Sequence, residues 1–275
     1  MVNNFKYING VGLQQISSAI IDTGRFDTVQ NLSSGAIIWC KTDYIDLLFD
    51  RLKHCNNKYV LITHCSDYSI DEAKFNSKPA CIQRWFAQNV DYKHNQLTPL
   101  PIGLENHYGP NKGSELDLQY ILNSNNNYTH SPSKIVDRVY VNFTCSTNPN
   151  YRYNCINELT TNNLCEIHNK LPQAEWYNDM KKFLFIASPR GNGIDCHRTW
   201  EALFNGSIPL VDRHFMFDEY KNLPIIQIDN WKDVTSEFLQ PYIEKYDNYT
   251  CFDNTQELML DFWLNKITDV AKKLQ

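Results

Sequence analysis

FLFIASPRGNGIDCHRTWEALFNGSIPLV, residues Phe183–Val211, holds the pattern on which the rest of the chain can be read. Phe183 to Ala187 is an apolar run of strand length, and Ser-Pro-Arg-Gly-Asn-Gly is strong turn punctuation. A helix is predicted to follow through about Asn205, with Asp195 as N-cap and Gly206 as its stop, before a second buried strand at Ile208–Val211. On that helix Cys196, Trp200, Leu203 and Phe204 share an apolar face, and Arg198 and Glu201 lie three apart on another. A helix that opens at a strand end between Arg190 and Arg198 suits an anion, and phosphate is the expected ligand.

Working outward, the first half alternates strand and helix patterns. Ala36–Cys40, Tyr59–His64, Ala80–Phe86 and Leu97–Ile102 read as strands, with helical stretches at about Asp43–His54 and Asp71–Phe75. The pattern breaks between Gly109 and Asp137, where Pro, Gly and an Asn tract give a polar stretch. It resumes with a strand at Val139–Phe143, helices at Tyr151–Thr160 and Trp176–Lys182, and then the opening segment. Pro224–Ile228 is a further strand, and Val234–Tyr246 and Gln256–Leu274 are helical. Alternation of this kind predicts parallel βαβ units, hence an α/β protein with two Rossmann-like domains. The expected division is residues 1–125, 126–255, and a final helix over 256–275 crossing back to the first domain.

Composition bounds the function. A chain of 275 residues with net charge −5 has room for two cores but no basic excess, so nucleic acid is not an expected partner. Any anionic ligand has to be held by local positive charge. The nine cysteines are scattered, with no Cys-x-x-Cys and no zinc spacing, and read as reduced thiols. With no signal-like segment and no membrane-length apolar run, a soluble, cytoplasmic protein is expected.

Ligands of open parallel sheets bind beyond the carboxyl ends of the strands, so the polar residues there are the candidates. Those of the first half are His64, Asp67, Asp71, Trp85, Asn89, Asp91, Glu105 and His107, a set rich in carboxylates and aromatics that suits a polyol and a proton transfer. The second half offers Asn142, Thr144, Arg152, Ser188, Arg190, Gly191, Asp195, Arg198 and Glu201, a cationic and hydroxyl-rich set suited to phosphate. Blander readings stand beside these: Asp67 reads equally as a helix cap, and His64 as a satisfied, partly buried histidine. No P-loop motif is present, nor a Gly-x-Gly-x-x-Gly after the first strand. No Asp-x-Asp occurs either, so a nucleotide-sugar leaving group would rest on arginines and a helix terminus, with no divalent metal or other cofactor required.

Ser188-Pro189-Arg190-Gly191, then Arg198-Thr199-Trp200-Glu201, then Gly206-Ser207-Ile208-Pro209-Leu210-Val211 resembles the signature of exostosin-like glycosyltransferases. Pro101-Ile102-Gly103-Leu104-Glu105 is similar to a turn that precedes the interdomain region in related transferases. The resemblance implies a GT-B fold: two Rossmann-like domains with parallel sheets facing across a cleft, the donor nucleotide on the C-terminal one. It also implies an inverting, metal-independent transfer of a sugar from a UDP-sugar to a hydroxyl of a glycan acceptor. Glu201 would then hydrogen-bond the ribose, and Arg190, Arg198 and Arg152 would face the diphosphate. Asp67 would be the general base with His64 as runner-up, and Asp71, Trp85, Asn89, Asp91, Glu105 and His107 would line the acceptor. Exostosins of animals and plants carry a Golgi membrane anchor, and this short chain shows none, which implies a microbial or viral enzyme working in cytoplasm. A compact xylosyltransferase of the chlorovirus type would look similar, which gives UDP-xylose as the expected donor. The alternatives are a non-catalytic nucleotide-sugar or glycan-binding module of the same fold, and a glycoside hydrolase using Asp67 and Asp71.

Overall fold

Among the described residues the apolar runs form two sheets of five strands, and every strand pair in both is parallel. The structure, a computed structural model, describes residues 5–105, 134–169, 171–246 and 256–275. The chain divides into two compact units, one of Met1–Glu105, Gly193–Asp195 and Gln256–Gln275, the other of Asn106–Asn192 and Cys196–Thr255. The predicted boundary at 125/126 lies outside the described residues.

The first unit holds β1 (Ala19–Ile21), β2 (Ile37–Lys41), α1 (Ile45–Leu52), β3 (Tyr59–His64), α2 (Glu72–Asn76), β4 (Ile82–Ala87) and β5 (Leu97–Pro99). Its strands lie in chain order, β1-β2-β3-β4-β5. Right-handed crossovers that all step the same way put their connections on one face of the sheet. Yet β3 is buried at every residue, so both of its faces are covered. The helix spanning Leu260–Lys272, which is the last of seven described α-helices in our numbering (α7), packs against β3 and belongs to this unit. It is tied down by backbone pairing: Ile8 N–H donates to Leu258 O (3.0 Å), and Leu260 N–H to Lys6 O (3.1 Å).

One short segment gathers the unit together. Pro101 O accepts a hydrogen bond from His64 Nε2 (3.0 Å), Ile102 N–H donates to the Asp195 carboxylate (2.8 Å), and Leu104 N–H donates to Ile8 O (3.0 Å). Gly103 between them has φ +68°, the left-handed region that glycine enters without penalty.

The second unit holds β6 (Ile135–Val141), α3 (Pro149–Thr161), β7 (Cys165–Ile167), α4 (Gln173–Met180), β8 (Phe183–Ala187), α5 (His197–Phe204), β9 (Ile208–Asp212), β10 (Ile226–Ile228) and α6 (Ser236–Tyr246). Its order is β10-β9-β8-β6-β7, so the chain leaves β6 on one side for β7 and returns on the other for β8. That reversal opens a crevice at the carboxyl ends of β6 and β8, where open α/β sheets take their ligands.

At the opposite ends of these strands Lys134 acts as a clasp. The three N–H of its Nζ are shared among four acceptors, Lys181 O (3.1 Å), Phe183 O (3.3 Å), Asn205 O (3.1 Å) and Ser207 Oγ (2.9 Å). The ammonium thus satisfies a carbonyl at the end of α5, where positive charge also suits the helix dipole. Lys134→Met should destabilise the protein by about 2–3 kcal/mol, since charge-assisted bonds to the carbonyls of Lys181 and Asn205 are lost, while Phe183 O keeps Ser207 Oγ. Urea unfolding checks this, and a change below about 0.5 kcal/mol would contradict the assigned role.

Candidate functional site

Arg152, Arg190 and Arg198 come together at the β6/β8 crevice of the second unit. Arg152 projects from the first turns of α3, Arg190 from the turn after β8, and Arg198 from the start of α5. Aromatic rings underlie all three. The guanidinium carbons of Arg152 and Arg198 lie 5.4 Å and 5.2 Å from the centroid of Phe143, and that of Arg190 lies 5.2 Å from Tyr151. Arg152, itself buried, braces the turns by donating from Nη1 to Thr144 O (2.8 Å) and from Nε to Arg190 O (3.3 Å). Gly191 admits it: a Cβ there would stand 3.0 Å from Arg152 Nη2, and Gly191 O accepts from Asn148 Nδ2 (2.8 Å).

Among the described residues none of the three arginines makes an ion pair. The Nε atoms of Arg190 and Arg198 are buried without a hydrogen-bond partner. Burial holds Arg198 below the usual guanidinium range; the nearby Arg152 charge acts in the same direction, while Glu201 opposes both. Like charges gathered this way raise the energy of the unliganded protein, and an anion would relieve it. The amide N–H of Arg190 is fixed by the Asp212 carboxylate (2.8 Å), which also accepts from Trp231 Nε1 (2.7 Å). Burial pushes that carboxyl above its ordinary value, against the hydrogen bond from Arg190.

The other predicted donor residues fall as follows. Glu201 is buried on α5 and accepts from Tyr177 Oη (2.9 Å). Ser188 is buried and shares a hydrogen bond with Thr199 Oγ1 (2.9 Å), so it ties β8 to α5. Thr144 is exposed and contributes its carbonyl to Arg152. Asn142 Nδ2 donates to Tyr140 Oη (3.1 Å) and to Asn169 O (2.9 Å), a structural pairing. Asp195 requires a correction: it is not the N-cap. Cys196 occupies that position and makes no side-chain capping bond, while Asp195 is buried in the first unit with its carboxylate on Ile102 N–H.

In the first unit the loops after β3 and β4 brace one another. Gln88 Oε1 accepts from Cys65 N–H (2.9 Å), and Gln88 Nε2 and Asn89 Nδ2 both donate to Ser66 O (3.0 Å each). Asn89, buried and left-handed at φ +53°, also accepts from Asp195 N–H (2.9 Å), so it is an internal brace and not an acceptor contact. Trp85 is corrected likewise. It is wholly buried, its indole N–H donates to Thr63 Oγ1 (2.9 Å), and it stacks on Phe75, so it offers no surface to an acceptor. Asp71 caps α2, accepting from Lys74 N–H (2.8 Å). His64 is wholly buried. Asp67 and Asp91 are exposed and Glu105 is partly so; His107 lies outside the described residues.

The sequence reading missed Phe143, Tyr151 and Tyr177, which carry or hold the charged groups. Phe143 lies two residues beyond the end of β6, but an aromatic beneath a guanidinium has the same sequence signature as one in a core. It also missed a polar knot in which Asp179 accepts from Tyr140 Oη (3.1 Å), His168 Nδ1 (2.5 Å) and Lys182 Nζ (3.0 Å). Burial alone would raise the Asp179 carboxyl, but the bonds from Lys182 and Tyr140 and the His168 charge hold it below its usual value.

No family model matches the chain, and no curated protein matches it. A chain in the crystal structure of the GtfA/B complex is similar over 90% of this chain, with 11% identity and a TM-score of 0.33. This chain spans about half of that one, the match covering 55% of its length. No described helix is long and apolar enough to cross a membrane.

Proposed function

We propose that the protein is a glycosyltransferase whose donor is a nucleoside diphosphate sugar, held by its pyrophosphate on Arg152, Arg190 and Arg198. The observation that carries this is the set of three arginines beyond the switch point between β6 and β8, none in an ion pair among the described residues: Arg152 and Arg198 share the ring of Phe143, Arg152 is bonded to Arg190 O, and the Nε atoms of Arg190 and Arg198 are buried without a partner. A pyrophosphate supplies the acceptors and the charge this arrangement lacks, and arginine forks match its geometry. The same groups would stabilise the diphosphate as it leaves, which is the electrostatic work a metal ion does elsewhere. In this reading the reaction is inverting and metal-independent, Glu201, steadied by Tyr177, takes the ribose hydroxyls, and UDP-xylose is the first donor to try. The acceptor hydroxyl loses its proton to Asp67, which is exposed beyond β3. His64 is set aside as base for the acceptor hydroxyl because it is wholly buried, with Nε2 on Pro101 O and Nδ1 facing Cys65 Sγ.

Arg198→Met separates this reading from a structural one. The variant should bind UDP about 30–150-fold more weakly, corresponding to roughly 2–3 kcal/mol for charge-assisted bonds. Its unliganded stability should be unchanged or higher, because burial and Arg152 already disfavour that charge. Calorimetric titration with UDP and urea unfolding give the two readings. Undiminished affinity would refute the pyrophosphate assignment. Tight binding without transfer or hydrolysis of any nucleotide sugar in a panel would instead indicate a non-catalytic module.

A further inference from the structure

Outside the arginine site, the end of β3 carries a second arrangement of reactive groups. Cys65 Sγ lies 3.5 Å from His64 Nδ1. His64 Nε2 stands 3.0 Å from Pro101 O, and a carbonyl can only accept. The neutral ring therefore carries its proton on Nε2 and turns the Nδ1 lone pair toward the sulfur. Thiol, imidazole and an orienting third group in line is the arrangement that activates a nucleophile. The backbone is set for it: Cys65 has φ +59°, rare for a residue with a Cβ, and its N–H is pinned by Gln88 Oε1 (2.9 Å). Gly10 completes the cradle, since a Cβ there would stand 2.3 Å from Cys65 Sγ and 2.5 Å from His64 Nδ1. Cys65 keeps part of its surface exposed.

We infer that Cys65 is a nucleophilic thiol that forms mixed disulfides with low-molecular-weight disulfides, His64 acting as its base. The thiol proton passes to His64 Nδ1, the thiolate attacks one sulfur of the disulfide, and the S–S bond breaks. A bond between Cys65 Sγ and the attacked sulfur replaces it, and the departing thiolate recovers the proton from His64 as a free thiol. One thiol is consumed and one released, so electrons balance without a further oxidant. The other thiols are poorer candidates: burial pushes Cys40, Cys155 and Cys165 up, and Cys81 to about 11. The inference stands apart from the transferase reading and does not depend on it.

The test is exposure of the full chain to oxidised glutathione without reductant, followed by peptide mapping over time. At about pH 6.5, where an ordinary thiol is only about 1% ionised, the adduct at Cys65 should form at least about tenfold faster than at half-exposed Cys55 or Cys145. It should be reversed by dithiothreitol. His64→Gln should slow Cys65 by about tenfold at that pH and hardly at all near about pH 9.5, where thiols ionise unaided. Should that variant not fold, the wild type gives the same information, because the Cys65 advantage should shrink steadily over that pH range. Equal rates at low pH, or an advantage that does not change with pH, would overturn the inference.

Discussion

Asp67→Asn should slow sugar transfer by about 10²–10⁴-fold while leaving UDP affinity within about twofold of wild type. Asparagine keeps the size and the hydrogen-bonding reach of the side chain and removes only its capacity to accept a proton. Two other first-unit carboxylates are less suited: Asp195 is buried on Ile102 N–H, and Asp71 is spent on the first turn of α2. The loop bearing Asp67 is held firmly, since Ser66 O receives both Gln88 and Asn89, so the substitution should not disturb its position. The expected signature is a fall in kcat with the donor KM little changed. Turnover near wild type would exclude Asp67 and direct attention to Asp91 or Glu105.

The second large effect is on folding. Gly103→Ala should cost about 2–5 kcal/mol, a large part of the stability of an ordinary domain. A Cβ there would stand 2.1 Å from Ile8 O and 2.6 Å from Ile8 C, backbone atoms that cannot rotate away, and φ is already +68°. The collision would also break the bond from Leu104 N–H to Ile8 O and shift the carbonyl that orients His64. Gly24→Ala is the control. It shares the left-handed backbone, at φ +71°, but meets only the movable ring of Tyr44 at 3.3 Å. It should therefore lose only about 1–2 kcal/mol, the backbone part of the effect. Equal urea midpoints for the two variants would contradict the steric argument.

How far the residues alone led depends on how local each signal was. Buried strands with apolar residues on both faces announce themselves, and β3 and β8 have the limits that their runs predict. The strands that were not anticipated, β1 and β7, are three residues long and expose an isoleucine each, Ile20 and Ile167, so no buried apolar run marks them. Arg190 and Arg198 were readable from one contiguous segment, and Arg152 from its place after a strand. The role of Asp195 was not, because a carboxylate beside a helix start looks like a cap whichever N–H it serves, and its partner Ile102 is 93 positions away. Trp85 was misjudged for a related reason: β4 is buried on both faces near its end, so position in the strand does not tell inward from outward.

The one-way winding of the first sheet has a consequence for how the molecule is made. On a ribosome the strands β1 to β5 emerge early, yet a cover for β3 is α7, which is not synthesised until the whole second domain has passed. The N-terminal unit must therefore wait with an apolar sheet face unprotected while the C-terminal unit is free to fold first, the reverse of the usual vectorial order. Nascent chains stalled before Leu260 should be the aggregation-prone species that chaperones have to hold.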